Sequence, residues 1–314
     1  MPAPRATAAQ DPALAWGAED LWRQLSPLLP GLSVEVLRST ASTNSALLER
    51  ARVLPEGRRA GGDVVVHRSV ESAAFGRRSA DLLPCLLVAE HQSAGRGRQG
   101  RTWKAESGAS LTFSLGLPLA PADWSGLSLA VGAALCDALD PPTEHPDALG
   151  RRGKPRLGLK WPNDLWLLDA DGAGRKLGGI LIETVAAGTQ RLAVIGVGLN
   201  VLPFAAADLN TGFATLRELD AQATAPAVLA RVALPLVQAL QRFDREGFCA
   251  FAESFAARDL LLGRVVRTTR PDVPQGTARG VSPQGALLVE TPAGIVALTS
   301  GEVSVRLEEP PASA

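Results

Sequence analysis

The stretch Gly95-Arg96-Gly97-Arg98-Gln99-Gly100-Arg101-Thr102-Trp103 is the segment around which the rest of the chain can be ordered. It follows an apolar run, Leu86-Leu87-Val88-Ala89, that reads as a buried strand leading into Glu90-His91-Gln92. Glycine lets a backbone turn sharply and approach a ligand closely. Arginine offers a planar, permanently charged fork that matches phosphate or carboxylate. Such a loop suits closure over a polyanion. Taken alone, it equally suits a solvated basic loop or an RNA-contacting segment.

The rest of the composition narrows the choice. Across 314 residues the formal net charge is zero, which argues against a dedicated nucleic-acid binder. That length predicts one large domain with a small one. Cys85, Cys136 and Cys249 are far apart and form no Cys-x-x-Cys pair, so neither a disulfide framework nor a zinc site is expected. His67, His91 and His145 are equally isolated. No apolar run reaches the roughly 18 residues of a membrane span. The first residues, with Pro2, Pro4 and Gln10, lack the apolar core of a secretory signal. The expectation is a cytoplasmic protein without a membrane partner.

Along the chain, residues 1–10 read as disordered and residues 20–29 as a short helix stopped by Pro30-Gly31. Leu32 to Leu37 alternates like a half-buried strand and runs into Ser42-Thr43-Asn44 before a helical pattern. Hydroxyls there can cap the helix, or can present a polar cluster to a small ligand. The Gly- and Arg-rich residues 55–84 read as a surface insertion able to hold an edge strand around Val64-Val65-Val66. Ser110 to Gly116 alternates as a strand, Leu127 to Leu139 reads as a buried helix, and residues 141–155 as a loop. Leu157 to Leu168 reads as two strands around a Pro162-Asn163-Asp164 turn. Strands over 176–183 and 191–197 follow, and this order predicts a largely antiparallel sheet. Residues 226–262 have helical spacing, with Pro235 and Gly247 as expected breaks or kinks. From Gly263 onward, short strands between Gly/Pro turns predict a small β-barrel.

Lys176 opens an apolar strand just before Gly178-Gly179, where a lysine could act as a point charge for an anion or simply be solvated. The order of motifs decides. Ser42-Thr43-Asn44, Gln92-x-x-Gly95-Arg96-Gly97-Arg98-Gln99-Gly100-Arg101-x-Trp103, Lys160-Trp161-Pro162-Asn163-Asp164, Lys176-Leu177-Gly178-Gly179 and Gly196-x-Gly198-x-Asn200 together resemble the biotin protein ligase family. The ending Gly301-Glu302-Val303-Ser304-Val305-Arg306 looks like that family's last strand.

The resemblance implies an α+β fold: a mixed β-sheet with flanking helices like that of class II aminoacyl-tRNA synthetases, plus a small C-terminal SH3-like β-barrel. It divides the chain into an N-terminal extension over 1–31, partly disordered, a catalytic domain over 32–261, a C-terminal domain over 262–309 and a tail over 310–314. It implies biotin and ATP as substrates, Mg²⁺ travelling with ATP, and a lysine of a biotin carboxyl carrier protein domain as acceptor. Ser42, Thr43, Asn44, Gln92, Gly95, Arg96, Gly97, Arg98, Trp103, Lys176, Gly178 and Gly198 would form the biotin side. Arg98, Arg101, Trp161, Asn163, Asp164, Lys176, Asn200 and Arg306 would form the nucleotide side, with Lys176, Arg98 and Arg101 catalytic. Many bacterial members carry an N-terminal winged helix, and the residues before the first core strand look too few for one, so no DNA partner is expected. A homodimer is left open. The glycine-spaced arginines imply a loop that orders over biotin and AMP, and Gln99 stands where many members have a further basic residue. A lipoate or octanoate transferase of the same fold, or a non-enzymatic biotin sensor, are the alternatives.

Overall fold

The computed structural model describes residues 14–52, 72–75, 82–141, 155–170, 172–187, 190–204, 213–299 and 305–307. Its first helix, α1 (Ala18–Leu25), precedes β1 (Ser33–Thr40), α2 (Thr43–Arg52), β2 (Ser72–Phe75) and β3 (Cys85–Gln92). Then come β4 (Ser110–Pro118), α3 (Leu127–Leu139), β5 (Leu157–Lys160), β6 (Asp164–Leu168), β7 (Gly174–Ala187) and β8 (Gln190–Asn200). These strands form an eight-stranded sheet in the order β2-β1-β3-β4-β8-β7-β6-β5. The β1–β3 pair is parallel, and the other pairs are antiparallel.

The central strands read as nearly unbroken apolar runs because both faces are covered. Leu86 and Val88 of β3 belong to the main core with α1, α3 and α4 (Ala225–Glu246), whereas Cys85 and Leu87 pack under α2 with Leu47, Leu48 and Val194. Helix α3 is buried almost all round, as its sequence predicts. Residues 14–31 join the same core: Trp16, Leu21 and Leu25 are buried, and Trp16 Nε1 donates to Glu90 Oε1 at 3.0 Å.

The insertion over 55–84 holds an edge strand, β2, paired with β1 over Val34–Leu37; residues 64–66, the expected centre of that strand, lie outside the described residues, as do most of the loop expected over 141–155 and the tail over 310–314. Of the break or kink expected at Pro235, the break does not occur. Helix α4 runs through that proline and ends at Gly247, before a turn and α5 (Ala252–Ala256). An apolar face with Leu229, Val232, Leu236 and Leu240 holds α4 on the core, and that burial outweighs one missing N–H.

At the C-terminus β9 (Val265–Thr268), β10 (Gln275–Val281), β11 (Leu287–Thr291), β12 (Gly294–Leu298) and β13 (Val305–Leu307) form an antiparallel sheet ordered β12-β11-β10-β9-β13. Its Val266, Leu287 and Val289 continue the main core. Trp161 is fully buried and donates its Nε1 hydrogen to Gly285 O at 3.0 Å, tying the large sheet to a turn of the small one. Trp161→Phe keeps one aromatic ring but orphans that carbonyl and leaves a void where the fused ring packed, so unfolding free energy should fall by about 2–4 kcal/mol. Urea denaturation checks this, and an unchanged midpoint would refute the tie. Among the described residues, no helix is long and apolar enough to cross a membrane.

Candidate active site

The Gly-Arg stretch between β3 and β4 is a folded hairpin. Trp103 N donates to Gly95 O at 2.9 Å and Gly97 N to Arg101 O at 2.7 Å. Its tip over 98–100 is a tight turn in which Gln99 has φ 54° and Gly100 φ 70°. The hairpin borders a cleft of about 900 Å³ whose opposite wall comes from β6, β7 and β8 and whose rim includes Arg306 and Arg264.

One end of the cleft is a hydrogen-bond network at the start of α2. Gln92 Oε1 accepts from Thr43 N at 2.8 Å, and Ser114 Oγ lies 2.6 Å from both Thr43 Oγ1 and Asn44 Oδ1. Asn44 Nδ2 donates to Leu181 O at 3.1 Å and to Glu183 Oε2 at 3.0 Å. Ser42 Oγ only weakly caps the helix, 3.5 Å from Ser45 N. Capping is thus the lesser role of Ser42-Thr43-Asn44. Thr43 and Asn44 are buried and cross-linked, while the Gln92 amide hydrogens have no protein partner among the described residues.

The other end is cationic. Lys176 Nζ pairs with Asp164 Oδ1 at 2.8 Å and lies 6.0 Å from the centre of the Trp103 ring. Arg98 Nη1 donates to Asn163 Oδ1 at 3.2 Å, and Asn163 Nδ2 to Ile180 O at 2.9 Å. Lys160 Nζ sits 4.8 Å over the Trp166 ring. Burial pushes the Lys160 ammonium below its ordinary pKa; Asp164 opposes that, while Lys176, Arg101 and Arg306 add to it. Burial likewise lowers the Arg98 guanidinium, against the pull of Asp164. One carboxylate therefore faces a group of cations, of which Lys160 and Arg98 are the more buried, and the excess of positive charge favours an incoming anion.

A sheet irregularity aims the lysine. Leu165 pairs with Gly178 but Trp166 with Lys176, so Leu177 is an extra residue on β7 and is fully buried. Such a bulge reverses which side chains face which side. Without it, Lys176 would share the core face of Gly178; with it, Lys176 joins Gly179 and Asp164 on the cleft.

Residues 83–200 match the Biotin/lipoate A/B protein ligase family, and residues 261–306 match the biotin protein ligase C terminal domain. The chain is 33% identical to the biotin–[acetyl-CoA-carboxylase] ligase of Mycobacterium tuberculosis over 293 residues, covering 91% of each. The chain belongs to the biotin protein ligase family. It is also 32% identical over 293 residues to the bifunctional ligase/repressor BirA of Escherichia coli, covering 91% of this chain and 78% of that one. Among solved structures, the biotin protein ligase of Aquifex aeolicus in complex with biotin and ATP superposes with a TM-score of 0.63 at 25% identity, covering 88% of this chain and 99% of that one.

Nearly all the expected site residues of this ligase line one cleft: Ser42, Thr43, Asn44, Gln92, Arg96, Gly97, Arg98, Arg101, Trp103, Trp161, Asn163, Asp164, Lys176, Gly198, Asn200 and Arg306. Gly95 and Gly178 are not among the lining residues. A Cβ at Gly95 would meet Trp103 O at 2.3 Å, and one at Gly178 would meet Gly198 O at 2.6 Å, so both serve backbone packing behind the wall. Asn200 spends its Nδ2 on Ala214 O at 3.2 Å and Lys176 O at 3.4 Å. The Arg96 side chain is committed to Glu183. Trp166, Ser114, Arg264 and Glu183 are not among the expected site residues, and Lys160 is named in a motif without a role of its own. Ser114 had a signal: it is a polar residue on a strand otherwise buried on both faces. Glu183 had none, because its partners are remote in sequence.

Proposed function

We propose that the hydrogen-bonded end of the cleft takes the ureido ring of biotin and the cationic end takes its carboxylate with the phosphates of ATP. Biotin protein ligases join the biotin carboxylate to the α-phosphorus of ATP, releasing pyrophosphate. A lysine amine then attacks the biotinyl carbonyl of that mixed anhydride, loses a proton, and releases AMP. In this ligase Lys176 and Arg98 hold the carboxylate and α-phosphate together, Arg101 reaches phosphate, and Arg306 approaches from the small sheet. Asn163 and Asp164 orient Arg98 and Lys176. The acceptor is a lysine on a carboxyl-carrier domain. The first step brings two anions together, so positioning and charge stabilisation carry it.

The observation that carries this reading is the position of Lys176, between Asp164 and the Trp103 ring, where the network end meets the cationic end. Magnesium enters as part of MgATP. Among the described residues no group of three or more His, Cys, Asp or Glu side chains gathers to hold a metal, and Asp164, the acidic residue lining the cleft, is paired with Lys176. That donor set does not suit a resident metal site and suits an ion held chiefly by substrate oxygens.

The Trp103 indole N–H is buried and has no protein partner among the described residues. An orphaned buried donor costs free energy unless a ligand atom accepts from it. Trp103→Phe, which keeps an aromatic face but loses the donor and the fused second ring, should raise the KM for biotin about tenfold. An unchanged KM would mean the indole contributes only its face. The reading as a whole is tested by biotin-dependent exchange of labelled pyrophosphate into ATP, with lipoate and octanoate as controls. Exchange with biotin alone is expected, exchange with lipoate would move the substrate assignment, and no exchange would overturn it.

A further inference from the structure

The Gly95–Trp103 hairpin is fastened to the body of the enzyme by one carboxylate that the chemistry above does not use. Arg96 reaches across from the hairpin to Glu183 on β7 in a two-pronged contact: Nη2 to Oε1 at 2.9 Å and Nη1 to Oε2 at 3.1 Å. The same guanidinium donates to Ser45 Oγ at 3.3 Å in the first turn of α2. Glu183 Oε2 also accepts from Asn44 Nδ2 at 3.0 Å. From Asn44 the contacts run through Ser114 to Thr43 and on to Gln92.

Glu183 is not a lining residue of the cleft, whereas Arg96 and Asn44 both are. Whatever it does for ligands must therefore pass through those two side chains. Ordinary surface ion pairs contribute little. This one differs in geometry, being bidentate, in the Glu183 side chain being only 23% exposed, and in the third bond from Asn44. Gly196 is part of the arrangement: a Cβ there would lie 2.2 Å from Asn44 Oδ1, so the glycine is what admits the Asn44 amide between α2 and the sheet.

We propose that Glu183 is a positioning residue that couples the hairpin, through Arg96, to the biotin-side network, through Asn44, so that loop and cradle close on the ligand as one unit. Its purpose is retention of the reactive adenylate until the acceptor lysine arrives, since a hairpin freed from β7 would expose the anhydride to water. The inference rests on the biotin ligase reading, and its test has one arm independent of that reading.

In the first arm the full chain is digested with trypsin without substrates. Cleavage after Arg98 and Arg101 should rise about tenfold in Glu183→Ala and less in Glu183→Gln, which keeps a neutral acceptor. In the second arm, release of preformed biotinyl-AMP is followed by chase. Release should quicken about tenfold in Glu183→Ala and in Arg96→Ala, and the double variant should be no faster than either single, because coupled residues are not additive. The KM for biotin should rise and that for ATP should rise with it, because Arg98 and Arg101 ride on the same hairpin. If Glu183→Ala does not fold, Arg96→Ala, whose side chain is 46% exposed, carries both arms. Cleavage and release within about twofold of the parent, or single effects that multiply in the double variant, would overturn the latch. Should the parent form no adenylate, the ligase reading falls, while the proteolysis arm still judges the latch.

Discussion

Replacing Lys176 by alanine is expected to slow adenylate formation by about 10²–10³, the loss typical of one transition-state charge stabiliser. As carboxylate oxygen approaches phosphorus, negative charge accumulates where Lys176 Nζ already sits 2.8 Å from Asp164 Oδ1. Removal has a double effect: it deletes the positive charge and leaves the Asp164 carboxylate facing an incoming phosphate. Lys176→Arg should recover only part of the rate, because a planar fork does not replace a compact ammonium. With its side chain 29% exposed, Lys176 contributes little to folding, so the melting temperature should barely move. Single-turnover formation of biotinyl-AMP is the measurement, and a rate within about threefold of the parent would remove Lys176 from the reaction.

Gly198→Ala should raise the KM for biotin by about 10- to 100-fold. The added methyl would lie 2.5 Å from Trp103 Cε2 and 2.7 Å from Trp103 Nε1, well inside contact distance. Trp103 has little room to yield, because its backbone N–H is bonded to Gly95 O and the hairpin limbs are cross-bridged at Arg96 and Thr102. Overpacking of this kind costs about 1–3 kcal/mol, and here it falls on the wall that receives the ligand rather than on the fold. Titration of exchange activity with biotin measures it, alongside a urea midpoint to show that the sheet persists. A normal KM would place biotin away from Trp103.

Strand positions were legible because alternation and apolar runs are local signals. Leu127 to Leu139 matched α3 at both ends, and the paired strands around Pro162-Asn163-Asp164 emerged as β5 and β6. Motif order was enough to name the family. Pro235 does not end the helix, for a physical reason: a helix breaker is a local penalty, and α4 buries an apolar face large enough to override it.

By itself, then, the sequence determined most of the elements, the likeness to biotin ligases and a set of expected site residues that, Gly95 and Gly178 apart, line one cleft. Their division of labour was decided by tertiary structure. The bulge at Leu177 turns Lys176 into the cleft, Asn200 and Trp161 spend their polar atoms on the chain's own carbonyls, and Glu183 joins residues some 87 and 139 positions away. Propensity and spacing act over a few residues. Side-chain partners depend on which strands lie side by side and in which register, and that is settled only when the sheet closes its core.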